Sequence, residues 1–473
     1  MSLSFHNTLT KHIDPFTPLA PGQASIYSCG PTVYDHAHIG NLSAFIMADV
    51  LRRTLTASGL DVTHVMNFTD VDDKTIRRSR EEFSSDEPMT ALRKLTQHYG
   101  DIFLQDMQAI GNDTNALTII KAADDATIEG MRQLITELFE RGFAYIADDG
   151  VYFSIDAYKK SGKTYGQLVE LTDENTSSER IQNDEYDKES AHDFALWKTQ
   201  RPGEPAWEFT LDGRSLTGRP GWHIECSVMS RQGLGQPFDI HTGGIDLAFP
   251  HHENEIAQST AGHDDSRYAQ LFVHNEHILV DGKKMSKSLG NFHTLADIEA
   301  RGADPLAFRM LVLQSHYRKQ TNFSFDNLEA AHNRLQHWRA IAALRWQTAQ
   351  QTTTPVDAQA ITSNILSALQ NDLDTPEALR LIDEVFSAYD HTPLRDIDGT
   401  SLTTLISFID QTLGLGLLAA TPDIDSNTKE LLVRRDQARA AKNWGLSDEL
   451  RDELLHHDVT VRDTADGQVW EYN

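Results

Sequence analysis

Cysteine is scarce in this chain of 473 residues, and long apolar runs and an excess of positive charge are missing. Only Cys29 and Cys226 occur, which is too few for a disulfide framework, and no Cys-x-x-Cys pair indicates redox chemistry. No apolar run approaches the ~20 residues of a membrane-spanning helix. The N-terminal Met1–His6 lacks the basic and apolar segments of a secretion signal. These absences predict cytoplasmic residence and no membrane association.

The charge balance is strongly acidic. The 42 lysines and arginines are outnumbered by 70 aspartates and glutamates, and the formal net charge is −28. A protein that held nucleic acid by bulk electrostatics would need the opposite balance, because phosphate contacts require cations. An RNA ligand would therefore require local basic patches. The 39% hydrophobic content is ordinary for a globular protein, and the length predicts about three domains.

The apolar pattern near the N-terminus predicts a β-α-β unit. Ala24–Ser28 is typical of a short strand, residues 40–58 have a helical pattern, and Asp61–Phe68 is typical of a second strand. This order implies a parallel sheet with a right-handed crossover. Ligands of such sheets bind beyond the carboxyl ends of the strands, where Cys29 and Thr69 fall.

The pattern changes further along the chain. Residues 145–218 interrupt the sheet, and 171–190 are acidic and nearly free of apolar residues, as in an insertion with a mobile loop. Strand patterns return at Phe238–His241 and Gln270–His274. The remainder is helical, and it includes three predicted helices: Leu328–Trp346, Lys429–Asn443 and Ser447–His456.

Two segments suggest phosphate handling. Cys29–Asn41 joins a strand and a turn to a helix start, where backbone N–H groups and the helix dipole favour a phosphate. Gly40 permits close approach of a nucleotide, and His38 could donate to its phosphates. A simple helix cap is the alternative for His38.

The second segment is Lys284–Ser288, Lys-Met-Ser-Lys-Ser. Its small residues and the following Gly290 favour a mobile loop that could close two lysines over a pyrophosphate. A solvated surface loop is the alternative.

Four side chains form a candidate metal site. His251 and Glu255 stand at i and i+4, hence on one helical face, whereas His252 is expected to face elsewhere. With Cys29 and Cys226 they would supply two thiolates, an imidazole and a carboxylate, a set that suits tetrahedral Zn²⁺. The alternative for either cysteine is a buried structural thiol.

Segments 29–41 and 284–288 together resemble the HIGH and KMSKS signatures of class I aminoacyl-tRNA synthetases. The cysteine that precedes Gly-Pro-Thr-Val-Tyr-Asp makes the chain similar to the cysteinyl-tRNA synthetase family in particular. The resemblance extends from about Tyr27 to Trp470. It implies activation of L-cysteine with ATP to cysteinyl-adenylate and pyrophosphate, then transfer to the 3′-terminal adenosine of tRNA(Cys). One Zn²⁺ per chain, Mg²⁺ accompanying ATP and a monomeric state are also expected.

The resemblance also implies roles for individual residues. The catalytic residues would be His38, Lys284 and Lys287. The ATP site would consist of His36, His38, Gly40, Asn41, Asp246, Lys284, Ser286 and Lys287. The cysteine pocket would be lined by Thr69, Trp222 and His241, and the zinc ligands would be Cys29, Cys226, His251 and Glu255. Cations on one helical face and two aromatic residues would contact tRNA, namely Arg435, Arg439, Lys442, Trp444 and Trp470.

The implied fold is α/β. A Rossmann-like parallel-sheet catalytic domain carries an insertion and is followed by an α-helical bundle and a small C-terminal α/β tRNA-binding unit. The expected bounds are 20–125 and 218–280 for the catalytic domain, 126–217 for the insertion, 281–328 for the KMSKS loop and stem-contact region, 329–420 for the bundle and 426–473 for the C-terminal unit.

Zinc would explain how cysteine is distinguished from serine. A hydrophobic pocket separates near-isosteres by only ~1–3 kcal/mol, whereas a soft Lewis acid binds a thiolate far better than an alcohol. We therefore expect the substrate sulfur to become a further zinc ligand, with no editing domain.

Three other functions stay open: a paralogous cysteine ligase that acts on an amino sugar, a catalytically silent RNA-binding relative, and a zinc hydrolase. The C-terminal unit disfavours the first and the intact motifs disfavour the second. The third lacks a carboxylate placed to activate water.

Overall fold

The computed structural model describes residues 3–170, 193–263, 267–285, 290–348, 357–464 and 467–472. It divides into two compact units. The first comprises Ser2–Asp297 with Tyr317–Thr321, and the second comprises Ile298–His316 with Asn322–Asn473. The predicted acidic loop 171–190 lies outside the described residues. No described helix combines the length and apolar composition that crossing a membrane would require.

The strands in chain order are β1 (Ser4–Asn7), β2 (His12–Pro15), β3 (Gln23–Ser28), β4 (Asp61–Phe68), β5 (Leu117–Lys121), β6 (Ala144–Ala147), β7 (Gly150–Ser154), β8 (Asp193–Thr199), β9 (Thr210–Leu211), β10 (Arg214–Ser215), β11 (Gly218–Pro220), β12 (Phe238–Gly244), β13 (Ala269–Asn275), β14 (Ile278–Val280), β15 (Lys283–Lys284), β16 (Thr321–Phe323), β17 (Val459–Thr464) and β18 (Gly467–Tyr472).

The α-helices are α1 (Ile39–Ala57), α2 (Asp73–Glu82), α3 (Pro88–Ala109), α4 (Asp125–Glu140), α5 (Ile155–Lys160), α6 (Trp222–Leu234), α7 (Glu253–Gly262), α8 (Leu295–Glu299), α9 (Pro305–Leu313), α10 (Phe325–Ala343), α11 (Ala358–Gln370), α12 (Thr375–Asp390), α13 (Gly399–Leu413), α14 (Leu417–Ala420), α15 (Ser426–Ala440) and α16 (Trp444–Leu455). Short helical turns of other types occupy Thr114–Ala116, Ile245–Leu247, Ala248–His252, Leu344–Trp346 and Leu394–Asp396.

A five-stranded parallel sheet forms the centre of the first unit, in the order β13-β12-β3-β4-β5. The predicted β-α-β unit is confirmed, with α1 connecting β3 to β4. The predicted strands near 238 and 270 are also confirmed and extend the same sheet as β12 and β13. Buried aliphatic and aromatic side chains fill both faces of the sheet, as expected for parallel strands covered by helices.

The turn after β3 depends on a glycine. A Cβ at Gly30 would lie 1.8 Å from the backbone oxygen of Asn67 at the end of β4. The Gly30 N–H donates to the Asn67 side-chain oxygen at 2.8 Å. The two strand ends therefore approach too closely for any side chain at position 30, and this contact fixes where Cys29 stands.

The insertion is an antiparallel sheet in the order β11-β8-β7-β6. Its core contains Phe153, Phe194 and Trp197, which are buried together with residues of α4. The indole N–H of Trp197 donates to the Leu216 carbonyl at 2.7 Å. In the sequence, this sheet lies between β5 and β12 of the parallel sheet. The predicted interruption of the parallel sheet at 145–218 falls in the same part of the chain.

The second unit is mostly helical and ends in the antiparallel hairpin β17–β18. The fully buried Trp338 of α10 donates to Asp383 of α12 at 2.8 Å. The hairpin packs with α15 and α16 around Leu432, Leu450 and Trp470. The bundle and the hairpin thus share one compact unit, and the finer domain bounds stay predictions.

Candidate active site and metal centre

The four predicted metal ligands converge within the first unit. Cys29 follows β3, Cys226 lies in α6, His251 lies in the turn Ala248–His252, and Glu255 lies in α7. One donor atom from each lies within 4.8 Å of all the others, and all four residues are buried. More than two hundred residues separate the first ligand from the last, so only the fold brings them together.

The spacing of the donor atoms fits a tetrahedral ion. The two sulfur atoms of Cys29 and Cys226 lie 3.7 Å apart, and tetrahedral Zn²⁺ with Zn–S bonds of ~2.3 Å needs about 3.8 Å. The Cys29 sulfur lies 3.6 Å from Oε1 of Glu255, and Nε2 of His251 lies 3.0 Å from the same oxygen. The four residues therefore form a site compatible with a metal.

A second layer of side chains fixes the orientation of these ligands. Nδ1 of His251 lies 2.9 Å from Nδ1 of His223, which leaves Nε2 directed at the site. The other oxygen of Glu255 accepts a hydrogen bond from the Tyr268 hydroxyl at 2.6 Å and lies 2.8 Å from Nε2 of His241. Such outer partners orient metal ligands and set their tautomers.

The prediction that His252 faces away from the site is wrong. Its Nε2 lies 3.4 Å from the Cys29 sulfur, and it belongs to a second possible donor set with Cys29, His241 and Glu255. The helical-face reasoning assumed a regular helix from His251, but α7 begins at Glu253 and Phe249 has extended backbone angles. Of these two donor sets, the one with both cysteines is the set that the sequence predicted.

The charges of the site follow from burial and close partners. Burial raises the pKa of the Cys29 thiol well above its usual value. At Cys226, burial is outweighed by the hydrogen bond with Cys29 and the charge of His251, and the pKa falls to about 6. At Glu255, burial is outweighed by His241 and His251, so the pKa lies well below its usual range. Against the effect of burial, Glu255 and Cys226 in turn raise the pKa of His251 to about 10.

Two of the three predicted cysteine-pocket residues lie beside this centre. The Trp222 ring stacks on His251 at a centroid distance of 4.1 Å. His241 is fully buried and bonded to Glu255. Thr69 is buried at the end of β4, where its hydroxyl accepts a hydrogen bond from Asn67 at 3.1 Å. The geometry places Trp222 and His241 beside the candidate metal ligands.

The start of α1 brings parts of the two predicted phosphate-handling segments together. His38 caps α1, since its Nδ1 accepts the Asn41 N–H at 3.1 Å. Because the cap uses Nδ1, a contact between Nε2 of His38 and a phosphate is chemically compatible with the cap. A Cβ at Gly40 would lie 2.9 Å from Nδ1 of His38 and 3.3 Å from the methyl carbon of Met285. Met285 therefore lies beside the helix N-terminus.

The other predicted ATP residues are less enclosed. His36 is exposed, with its ring edge-to-face against Tyr99 at 5.7 Å. Asp246 is largely exposed and lies 4.0 Å from Nδ1 of His277. Lys284 is exposed in β15, and its carbonyl accepts a hydrogen bond from Asn291. Ser286 and Lys287 lie outside the described residues.

The predicted tRNA contacts separate into buried and exposed residues. Arg435 is buried in an ion pair with Asp463 at 2.8 Å, and Trp470 is buried in the hairpin core, so neither presents a surface. Trp444 is 56% exposed, with the Arg439 guanidinium 5.7 Å from its ring. The predicted single helical face is wrong, because α15 ends at Ala440 and Lys442 has a left-handed backbone conformation.

Sequence reasoning missed several buried residues of the site. His223 and Glu225 lie in α6 just before Cys226, and His274 is the penultimate residue of β13. Burial, then Cys226 and Asp72, raise the pKa of the Glu225 carboxyl well above its usual value. The density of histidines around Cys226 and His251 was a possible signal, but their contacts depend on the folded chain.

Two known protein families match different parts of the chain. Residues 15–333 match the family described as tRNA synthetases class I (C) catalytic domain. Residues 421–470 match the cysteinyl-tRNA ligase anticodon binding domain. Among solved structures, Agrobacterium radiobacter LeuRS in a complex with tRNA and LeuAMS has a TM-score of 0.60, at 12% identity and 86% coverage of each chain. Methionyl-tRNA synthetase of Mycobacterium tuberculosis has a TM-score of 0.56 at 14% identity, covering 84% of this chain and 91% of that one.

The catalytic-domain match and the fold define a class I aminoacyl-tRNA synthetase. Curated relatives named cysteine–tRNA ligase match this chain over nearly its whole length. A cysteine–tRNA ligase of Halorhodospira halophila is 40% identical over 99% of both proteins, and one of Brachyspira hyodysenteriae is 37% identical over 98% of both. The chain belongs to the cysteine–tRNA ligase family. Its activity is therefore the ATP-dependent ligation of cysteine to tRNA.

Proposed function

We propose that this ligation depends on a zinc ion held by Cys29, Cys226, His251 and Glu255. The observation that supports the proposal is the convergence of these four buried donor atoms within 4.8 Å. A bound zinc ion would supply a Lewis acid with strong preference for thiolate over alcohol oxygen. The stacked Trp222 would close one side of the pocket over the bound amino acid.

The phosphate chemistry belongs to the N-terminus of α1 and to segment 284–288. His38 and the helix N-terminus would bind the α-phosphate as the cysteine carboxylate attacks it. Lys284 and Lys287 would stabilise the charge that develops on the leaving pyrophosphate. Mg²⁺ would accompany ATP. His36, Asn41, Asp246 and Ser286 complete the proposed nucleotide site.

The polynucleotide substrate is proposed to be tRNA(Cys). Trp444 is exposed beside Arg439, which also pairs with Asp463 at 2.9 Å, and the exposed Lys442 lies two residues before Trp444 in the sequence. Single-stranded RNA bases stack on such exposed aromatic rings. Cytoplasmic residence and a monomeric state stay predictions.

A charging assay tests the proposed acceptor. The enzyme, cysteine and ATP are incubated with a tRNA(Cys) transcript, a tRNA transcript for another amino acid or an amino sugar. We expect acceptor-dependent AMP release with tRNA(Cys) alone. Release that depends on the amino sugar, without charging of tRNA(Cys), would instead support the paralogous ligase.

A further inference from the structure

Glu253 lies between two of the proposed metal ligands, His251 and Glu255, and is the first residue of α7. It is fully buried, and it belongs to neither of the two possible donor sets. His251 precedes α7, in the turn Ala248–His252. Because no regular helix spans both ligands, the packing around Glu253 sets how His251 and Glu255 are oriented towards each other.

The Glu253 carboxylate accepts backbone hydrogen bonds from three consecutive residues of the insertion. Its Oε1 accepts the Gly166 N–H at 2.6 Å, and its Oε2 accepts the N–H groups of Gln167 and Leu168 at 2.9 and 3.0 Å. Both oxygens act as acceptors, so a carboxylate fits this position and an amide, which has a donor at one end, does not. The insertion therefore fixes the start of α7 through one side chain.

The same segment contacts the surroundings of the other ligands. The Tyr165 hydroxyl donates to Oδ1 of Asn254 in α7 at 2.6 Å. Leu168 is buried in the apolar cluster that also contains Cys29 and Cys226. This short segment thus packs against both the start of α7 and the two cysteines' cluster.

Side chains that do not touch a metal still govern its binding when they orient the ligands. We propose that Glu253, held by residues 165–168, is a positioning residue of the metal centre and binds no ion itself. Its hydrogen bonds keep the turn and the start of α7 in the orientation in which His251 and Glu255 share one ion. This inference rests on the proposed function.

Zinc affinity tests the inference. The dissociation constant for zinc is measured by competition between the metal-free whole chain and a chromophoric chelator, so that no catalytic step enters the readout. Glu253→Gln replaces one accepting oxygen with an NH₂ group, which places a donor against a backbone N–H. The dissociation constant should rise by about 10- to 100-fold. A value within about twofold of the parent in folded Glu253→Gln would overturn the inference.

Asp239→Asn is the matched control. Asp239 is a buried carboxylate that accepts the N–H groups of Leu19 and Ser25 at 2.7 and 2.8 Å. It anchors neighbouring chain in the same way, but at the amino end of β12, whereas Cys29 follows the carboxyl end of β3. Its loss should lower stability and leave the zinc dissociation constant within about twofold of the parent. An equal rise in both variants would show a general effect of destabilisation and overturn the inference.

Tyr165→Phe provides a second variant if Glu253→Gln does not fold. It removes the hydroxyl that binds Asn254 and keeps the ring. The zinc dissociation constant should rise about fivefold, the effect of one neutral hydrogen bond. An unchanged constant would overturn the inference.

A kinetic measurement separates positioning from a merely structural role. In ATP–pyrophosphate exchange at saturating zinc, Glu253→Gln should raise the KM for cysteine by about tenfold or more and leave the KM for ATP within about twofold. Equal rises in both would overturn the inference. A parent chain without measurable zinc affinity would refute the proposed function, whereas a parent that binds zinc no better than Glu253→Gln does would refute this inference alone.

Discussion

Single side chains determine the chemistry of the first unit, and at two of them close neighbours outweigh the effect of burial on the pKa. Neighbouring groups lower the pKa values of Cys226 and Glu255 although burial opposes this. The same residues are therefore suited to a cation and poorly suited to a dry apolar core.

Lys287→Ala tests the proposed catalytic role of the second signature. Because Lys287 would act on charge that develops in the transition state, we expect at least a ~100-fold lower rate of cysteine-dependent pyrophosphate exchange. The KM for cysteine should change less than about threefold. Lys283→Ala, at the exposed neighbouring site in β15, is the matched control. Equal losses in rate and cysteine binding would contradict the assignment.

His64 provides a prediction about pH and stability. Burial, assisted by Arg52, lowers its pKa to about 3, and its Nε2 contacts the Ser28 hydroxyl at 2.7 Å. An unfolded histidine takes up a proton near pH 6.5, so the unfolded state gains protons first as the pH falls. Stability should therefore decrease from pH 6.5 towards 3, by up to ~1.4 kcal/mol per unit for this group.

Urea unfolding between pH 6.5 and 4.5 measures this dependence. His64→Gln retains a polar contact for Ser28 without a titrating ring, and its free energy of unfolding should fall less steeply with acidification. The exposed His98→Gln should leave the slope of the parent protein unchanged. The same slope in His64→Gln and the parent would contradict the prediction.

At the scale of secondary-structure elements, local pattern predicted β3, α1 and β4 well. Alternating or helical apolar periods are encoded within each segment, and the strand–helix–strand order restricts the topology. The turn Ala248–His252 was misread although the sequence carries a local signal, since Phe249 precedes Pro250 and a residue before proline favours an extended backbone. The end of α15 before Lys442 was missed for a different reason, since helix ends depend on tertiary packing.

The approach of β3 to β4 predicts that position 30 tolerates no side chain. Gly30→Ala would place a methyl group against the Asn67 carbonyl, and the required shift should cost about 2 kcal/mol or more of unfolding free energy. Gly445→Ala, where a Cβ meets nothing within 4 Å in α16, should be neutral or stabilising. Equal stability of the two variants in thermal unfolding would refute the close contact.

The packing of the hairpin on α15 predicts a structural role for Arg435. Its guanidinium binds Asp463 at 2.8 and 2.9 Å and also contacts Gln468 at 2.9 Å. Arg435→Leu should lower the free energy of unfolding of the second unit by about 2 kcal/mol, because charged hydrogen bonds are lost in a buried position. The exposed Arg434→Leu is the control. Stability equal to that of the parent chain would show that Arg435 is not structural.

At the scale of the whole molecule, the sequence indicated which residues take part in the chemistry, but it did not indicate most of the contacts between them. Cys29, Cys226, His251 and Glu255 are recognisable as residue types that bind zinc, and the structure brings their donor atoms together. The bonds of His223 and Tyr268 to these ligands could not be predicted, because they join segments whose spacing carries no periodic signal. The net charge of −28 likewise gave no indication of an RNA substrate.

The most direct test of the account is cysteine-dependent ATP–pyrophosphate exchange by the whole chain, before and after zinc is removed with a chelator. Serine replaces cysteine in a parallel reaction. We predict that removal of zinc abolishes exchange with cysteine, that added Zn²⁺ restores it, and that serine supports less than about one-hundredth of the cysteine rate. Undiminished exchange in the metal-free enzyme, or a serine rate within tenfold of the cysteine rate, would contradict the account.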